Sequence, residues 1–320
     1  MSHDNRRSGP YASPPAITLS QTPMTGFLDT YRGYVSLQEC DEMGHMNIQH
    51  YISKSSDSSY NLRVALGHGA LDQAASGLGY VALEHHIRFH RELRASDLVV
   101  IRSGIVEMRD KTMRIYQEMS EALDGRLAAT YVVDTGCLDL ETRRLTRWPD
   151  HVRARAGEML VALPREAEPR SIPREAVERD VSLARADELG MVETNRSVVN
   201  TWECDTNAHM NARFYMARFS DAQGHMWAHA GLGRHEQAAR GLATATVEIR
   251  LTYLRELRAG ETLFVRTAIL PGEGKTIRYR HWLFSGDTGE PACVAEGAAL
   301  LFDKASRKAV PLPAPIRARL

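Results

Sequence analysis

The chain has 320 residues, with 40 basic and 40 acidic side chains, so its formal net charge is zero. That balance gives no reason to expect a general nucleic-acid or anionic-membrane binder. Apolar residues make up 43% and charged residues 25%, an ordinary globular composition with room for about two domains.

Residues 1–25 are rich in Ser, Pro and polar residues and read as a mobile, disordered arm. They hold no apolar h-region of a secretory signal, and no apolar run in the chain approaches the roughly 18 residues of a membrane span. Phe27 to Gln38 is aromatic and β-branched with partial alternation, which predicts a strand. The polar stretch from Glu39 to Asn47 follows. It leads into a helical stripe over His45 to Leu66, marked by Met46, Tyr51, Ile52, Leu62 and Leu66. The middle of that helix, 53–59, is polar and Ser-rich. Such residues are poor helix formers, so the helix must lean on tertiary packing. Gly67 and Gly69 stop it. After a Gly-rich loop come four strand-like runs, Leu78–Arg91, Leu98–Met108, Met113–Ala122 and Leu127–Leu140. Asp110-Lys111 and Asp124-Gly125 supply turns between them.

The next region is different in character. Pro149, Pro164, Pro169 and Pro173 stand among many Arg and Glu residues, which predicts a linker with a charged helical piece near Arg174–Leu189. Then the first half returns 164 positions later. Asp41 pairs with Asp205, His45 with His209, Tyr51 with Tyr215 and Asp57 with Asp221. The run Arg91-Glu92-Leu93-Arg94-Ala95 pairs with Arg255-Glu256-Leu257-Arg258-Ala259, and no gap is needed from 39 to 143. A period this long means two copies of one domain rather than a solenoid. The expected organisation is an arm at 1–25, a domain at 26–147, a linker at 148–190, a second domain at 191–310 and a Pro- and Arg-rich tail at 311–320. Each copy reads as strand, long helix, then four antiparallel strands, an α+β arrangement.

The repeated turn resembles that of the hot-dog superfamily, in its 4-hydroxybenzoyl-CoA thioesterase-like branch, whose turns read D-x-x-G-H-x-N-N-x-x-Y. Copy one has Asp41, Gly44, His45, Asn47 and Tyr51, and departs at Ile48. Copy two is similar to the plant acyl-ACP thioesterases, which read D-x-N-x-H-x-N-N and carry a functional Glu in a later Y-x-R-E run. Asp205, Asn207, His209 and Asn211 fit, Ala212 departs, and Tyr253-Leu254-Arg255-Glu256 matches the second run. The resemblance implies two tandem hot-dog domains, each a long helix wrapped by an antiparallel sheet, paired as a pseudo-dimer with up to two sites in the seam. It further implies a thioesterase acting on an acyl-CoA or acyl-carrier-protein thioester, with no cofactor; the cytoplasmic location is expected from the cysteine usage. Whether the tandem chain also forms a homo-oligomer is left open.

Thioester hydrolysis needs a base or nucleophile, a polarised carbonyl and a slot for the acyl group. Asp41 and Asp205 are candidates for base or nucleophile, with helix N-capping as the structural alternative. His45 and His209 either orient the Asp, hold water or bind the thioester oxygen, or else bond to backbone. Asn207 is a candidate for positioning water. Gly44 allows close backbone approach to substrate. Asn47 and Asn211 either contact substrate or fix the turn. Asp57 and Asp221 on the long helix, and Glu92 and Glu256 at the strand ends, are substrate-site or catalytic candidates, with solvated surface charge as the alternative. Arg88, Arg91, Arg94, Arg250, Arg255 and Arg258 are candidates for meeting CoA phosphates.

Other signals are weaker. Gly272-Glu273-Gly274-Lys275-Thr276 looks like the end of a P-loop, but Ile269 stands where the first Gly belongs. His225 and His229 are spaced as a helical metal pair without an evident third ligand. Four Cys without CxxC spacing read as reduced thiols of a cytosolic protein. A non-catalytic acyl-CoA-binding module is the alternative function. A hot-dog hydratase or dehydratase is a third, though neither turn has the D-x-N-P-x-H proline of that class.

Overall fold

The computed structural model describes residues 26–173, 178, 180–270 and 275–313. The expected arm, residues 314–320 of the expected tail, and Gly272 to Gly274 of the P-loop-like run lie outside these. So do 174–177 and 179 of the expected charged helix. In chain order the elements are β1 (Leu28–Tyr34), α1 (Ile48–Ala65), α2 (Ala70–Ser76), β2 (Leu78–Phe89), β3 (Leu98–Met108), β4 (Thr112–Glu121) and β5 (Leu127–Asp139). Then come α3 (Asp150–Glu158), α4 (Leu183–Glu188), β6 (Val192–Val198), α5 (Ala212–His229), α6 (Arg234–Ala239), β7 (Leu242–Tyr253), β8 (Thr262–Leu270), β9 (Thr276–Ser285), β10 (Pro291–Asp303) and β11 (Ala309–Val310). Two short helices, α2 and α3, stand where the sequence suggested a Gly-rich loop and part of the linker. Of the charged piece expected near 174–189, the described helix is Leu183–Glu188.

The strands form one sheet in the order β1-β3-β4-β5-β2-β7-β10-β9-β8-β6, with β11 on β10. The halves join edge to edge, because β2 pairs antiparallel with β7. That register runs from Glu84↔Thr252 to Arg88↔Glu248 and is centred on His86↔Arg250. His86 and Arg250 are themselves 164 residues apart, so the seam is built around a local twofold. It is the pseudo-dimer expected from the repeat. The chain is two tandem domains of hot-dog type.

The two long helices pack on one face of this sheet. On α5 the buried face is Met216, Phe219, Ala222 and Met226, an ordinary apolar stripe. On α1 the equivalent face buries Ser55 and Ser58. Ser55 Oγ donates to Gln117 Oε1 at 2.5 Å, and Gln117 Nε2 donates to Ser58 at 3.1 Å. Ser58 also meets Thr30 at 2.6 Å, which meets Ser103 at 2.7 Å. This closed network is what lets a Ser-rich helix bury its middle, since buried hydroxyls are tolerated when paired.

The linker covers the opposite face. Trp148, Val152, Ala156, Ala167 and Ile172 are buried. Glu248 is buried beneath the linker and accepts from the amides of Arg170 and Ser171 and from His86 Nε2. No helix among the described residues is long and apolar enough to cross a membrane.

Candidate active site

Each copy of the repeated turn is a short hairpin held by its aspartate. In copy two, Asp205 N donates to the His209 carbonyl and Ala208 N donates to the Asp205 carbonyl, both at 3.0 Å. Asp205 Oδ1 accepts from Asn207 N at 2.8 Å. The residue at the tip must adopt a left-handed conformation. Gly44 does so at φ +75°, and Ala208 does so at φ +60° despite its Cβ. Met210 N then bonds to the Leu257 carbonyl at 2.7 Å, and Asn211 N to the Glu203 carbonyl at 2.9 Å. The Tyr215 hydroxyl donates to the Arg255 carbonyl at 3.2 Å. These bonds fix the turn against the strand end that carries Glu256.

The helix begins later than the sequence suggested, and neither aspartate is its N-cap. Asn47 and Asn211 are the caps, accepting from Gln49 N at 3.0 Å and Arg213 N at 3.1 Å. Each also receives a serine from the other domain's helix, Ser220 to Asn47 at 3.0 Å and Ser56 to Asn211 at 3.5 Å. The two turns and the two long helices therefore lock together across the seam. Their four-residue companion, the buried pair Glu203–Arg218 at 2.7 Å, has its counterpart in Glu39–Lys54 at 2.8 Å.

The side chains diverge. In copy two His209 is buried, with Nδ1 2.9 Å from Asp205 Oδ1 and Nε2 3.3 Å from Glu256 Oε1. Arg143, from the other domain, binds the second oxygen of Glu256. Asp205, His209 and Glu256 thus form one carboxylate–imidazole–carboxylate chain. In copy one Asp41 Oδ1 is taken by backbone, accepting from Met43 N at 2.9 Å and His45 N at 3.2 Å. His45 Nε2 lies 3.1 Å from Glu92 and 3.4 Å from Arg94, and Arg307 closes on Glu92 at 2.6 Å.

The surroundings differ more. A cavity of about 590 Å³ lies in the seam beside the second turn. Asp205, His209, Asn211, Ala212 and Glu256 line one side. Ser56, Ser59, Tyr60 and Arg63 of α1 and Tyr80 to Leu83 of β2 line the other. Asp41, His45, Gly44, Asn47 and Glu92 are outside that lining. At the positions equivalent to the lining residues Leu62, Arg63, Leu66 and Ile115, the first seam carries Met226, Trp227, Ala230 and Tyr279, all buried in one cluster. Tyr279 occupies the position of Ile115, and Gly297 that of Val133. A Cβ on Gly297 would sit 2.0 Å from the Tyr279 ring, so the bulky ring and the missing side chain fit one another.

The remaining candidates are spread out. Asn207 holds the turn to β2, its Nδ2 3.4 Å from the Tyr80 carbonyl. Asp57 is exposed and pairs with Arg213 at 2.7 Å, tying α1 to α5. Asp221 is exposed on α5. Arg88 binds the linker carbonyls of Glu166 and Glu168, and Arg250 binds that of Pro173. Arg255 pairs with Glu261 at 2.9 Å, and Arg258 is exposed at the cavity. Arg143 and Arg63 went unremarked in the sequence, and His85 had no role assigned there. Arg143 was recoverable as the counterpart of Arg307 at the last position of the gap-free register. His85 lies 3.1 Å from the Tyr253 hydroxyl, and burial pushes its pKa down to about 4 against the pull of Asp134. Arg63 showed no signal beyond a basic residue near a helix end.

A family model described as the thioesterase-like superfamily matches residues 35–156 and again 199–320. The chain belongs to the thioesterase-like superfamily. Thioester hydrolysis is accordingly its reaction class. This thioesterase-like chain is 28% identical over 116 residues to the betainyl-CoA thioesterase of Pseudomonas aeruginosa, over 36% of the chain and 73% of that protein. It is 35% identical over 115 residues to an L-carnitine dehydrogenase/betainyl-CoA thioesterase of Agrobacterium fabrum, over 36% of the chain and 23% of that longer protein. Its fold is similar to that of the 12:0-ACP thioesterase of Umbellularia californica, with a TM-score of 0.65 at 16% identity, covering 86% of this chain and 94% of that one.

Proposed function

We propose that the protein hydrolyses an acyl-CoA thioester in the cavity beside the second turn, with His209, Asp205 and Glu256 as its catalytic residues. One observation carries the reading. His209 Nε2 and Glu256 Oε1 stand 3.3 Å apart beside a cavity of about 590 Å³, while Asp205 holds the other imidazole nitrogen. Asp205 accepts from Nδ1, which leaves Nε2 as the acceptor. A water donating to Nε2 and to Glu256 has its lone pair free for the thioester carbonyl. Its proton passes to Nε2 as the C–O bond forms. The oxyanion meets the first amides of α5. Ala212 lines the cavity, and its N–H has no acceptor among the described residues. When the C–S bond breaks, the proton on Nε2 goes to the thiolate, giving the acid and free CoA.

The exposed Arg258 at the cavity is placed to meet CoA phosphates. Both domains line the cavity, so the site is complete within one chain. Four unpaired thiols suit a reducing cytoplasmic setting. The test is thiol release from a panel of acyl-CoA esters by wild type, Asp205→Asn and Asp41→Asn. Asp205→Asn should lose roughly 10²–10⁴-fold in kcat, and Asp41→Asn should stay within about threefold of wild type if it folds as well, by the ±0.5 kcal/mol of an ordinary surface change. The reverse pattern would assign the chemistry to the first turn. Binding of CoA esters without thiol release would favour the non-catalytic reading.

A further inference from the structure

The wall of the cavity facing the catalytic chain carries one unpaired charge. Of the charged side chains that the first domain lends to the lining, Arg143 is committed to Glu256, and the other is Arg63. The Arg63 guanidinium carbon lies over two rings, 4.3 Å from the centroid of Tyr60 and 4.6 Å from that of Tyr80. No carboxylate among the described residues pairs with it. Rings lying over a guanidinium plane leave its edge uncovered. All five N–H donors lie in that plane, in the fork that fits a carboxylate. The same contact takes up the aromatic faces that would otherwise attract a quaternary ammonium. In the filled first seam the arrangement does not exist. Trp227 stands for Arg63, Gly224 for Tyr60 and Thr244 for Tyr80.

We propose that Arg63 makes this cavity selective for acyl groups ending in a carboxylate. This rests on the cavity being the thioesterase site, as argued above. The acyl group supplies the acceptor that the guanidinium edge lacks. A trimethylammonium acyl group, the kind that gives betainyl-CoA thioesterases their name, would meet a like charge where it needs an aromatic face.

Three CoA esters with the same three-methylene spacer test this: glutaryl-CoA, its neutral isostere isoheptanoyl-CoA, and cationic γ-butyrobetainyl-CoA. Wild type should prefer glutaryl over isoheptanoyl in kcat/KM by a factor on the order of 10 to 100, the range of a charge-assisted hydrogen bond. Arg63→Met should bring that ratio to about one or below, and Arg63→Lys should restore part of it, because lysine keeps the charge without the fork. Each ratio is taken on one preparation, so a partly unfolded variant does not distort it. A wild-type ratio near one, a ratio unmoved in Arg63→Met, or a wild-type preference for γ-butyrobetainyl-CoA overturns the inference while leaving the thioesterase reading intact. If wild type releases thiol from none of the three and from no other acyl-CoA ester, the reading of the cavity fails and the Arg63 inference falls with it.

Discussion

Two buried histidines should make the fold acid-sensitive in the range from pH 7 to pH 5. His281 is wholly buried in the second domain, with Nδ1 2.6 Å from the Thr267 hydroxyl and its ring stacked on Phe219 at 5.5 Å. Burial pushes its pKa down to about 3, and burial pushes that of His85 down to about 4. At pH 5 both are neutral in the folded chain, while in the unfolded chain, near 6.5, both take up a proton. The unfolded state then binds more protons, so stability rises with pH. This contribution is present above about 6.5 and is lost as pH falls from there towards the folded values. At about 1.36 kcal/mol per unit per group, pH 5 costs about 2 kcal/mol for each histidine. His50, His68 and His90 are also shifted down by burial and add with the same sign. The diagnostic variant is His281→Gln, because Gln117 occupies the equivalent site in the first domain. It forfeits the ring stack, so it should be less stable at pH 7, but it should lose about 2 kcal/mol less than wild type between pH 7 and pH 5. Urea midpoints at the two pH values, with m held constant, give the difference. A wild-type midpoint that does not move, or an equal loss in His281→Gln, would refute the reasoning.

Asn47→Ala and Asn211→Ala each remove an N-cap and should each cost about 1 kcal/mol in chemical denaturation; only Asn211→Ala should also lower thiol release. Glu256→Gln should reduce kcat on the order of 10²-fold with little change in KM, whereas Glu92→Gln should leave turnover within about twofold of wild type, since an exposed ion pair contributes about 1 kcal/mol or less. Gly297→Val should be strongly destabilising, because its Cβ collides with the Tyr279 ring. Tyr279→Ile should relieve it, and a thermal double-mutant cycle should show a coupling of roughly 1–3 kcal/mol. Simple additivity would mean that the ring and the glycine are not matched.

Much of the fold was legible because the repeat doubled every signal. The four strands after α1 end within two residues of where alternation placed them, while β1, expected over 27–38, stops at Tyr34. The gap-free register also fixed the pseudo-dimer, since a seam centred on His86 and Arg250 is what a twofold between copies requires. The residues gathered at the site were legible only in part. Asp205, His209 and Glu256 come together as their motif positions suggest. Asp57, Asp221 and Asn207 do not line the cavity, because local spacing does not say which way a helix or turn faces once another domain packs on it. Arg143 and Arg63 reach the site from the opposite domain, and no local pattern reports a contact across more than a hundred residues. The Asp-as-cap alternative failed for a local reason. The hairpin between Cys204 and Met210 places six residues between Asp205 and its helix, so Asn211 takes the cap and the carboxylate is left to the turn.

That division of labour explains how the side chains around the two turns could diverge. In both copies the asparagine caps, the Glu–Lys or Glu–Arg pair beneath the turn, and the Arg307–Glu92 and Arg143–Glu256 bridges across the seam are retained. The caps and buried pairs fix each turn on its own helix, and the two bridges tie the halves across the seam. The space beside each turn is under no such shared constraint. Filling it with Trp227 and Tyr279 buries about two aromatic side chains, at ~150–250 Å² each. At ~25 cal/mol per Å² that is a gain of several kcal/mol, which an open cavity forgoes. The first seam has taken that stability, and Asp41 has turned inward to serve its own hairpin. The second seam leaves the space open and keeps Asp205 on His209. The half-open cleft of about 590 Å³ beside the second turn forgoes that burial, and Asp205, His209 and Glu256 stand aligned at its wall.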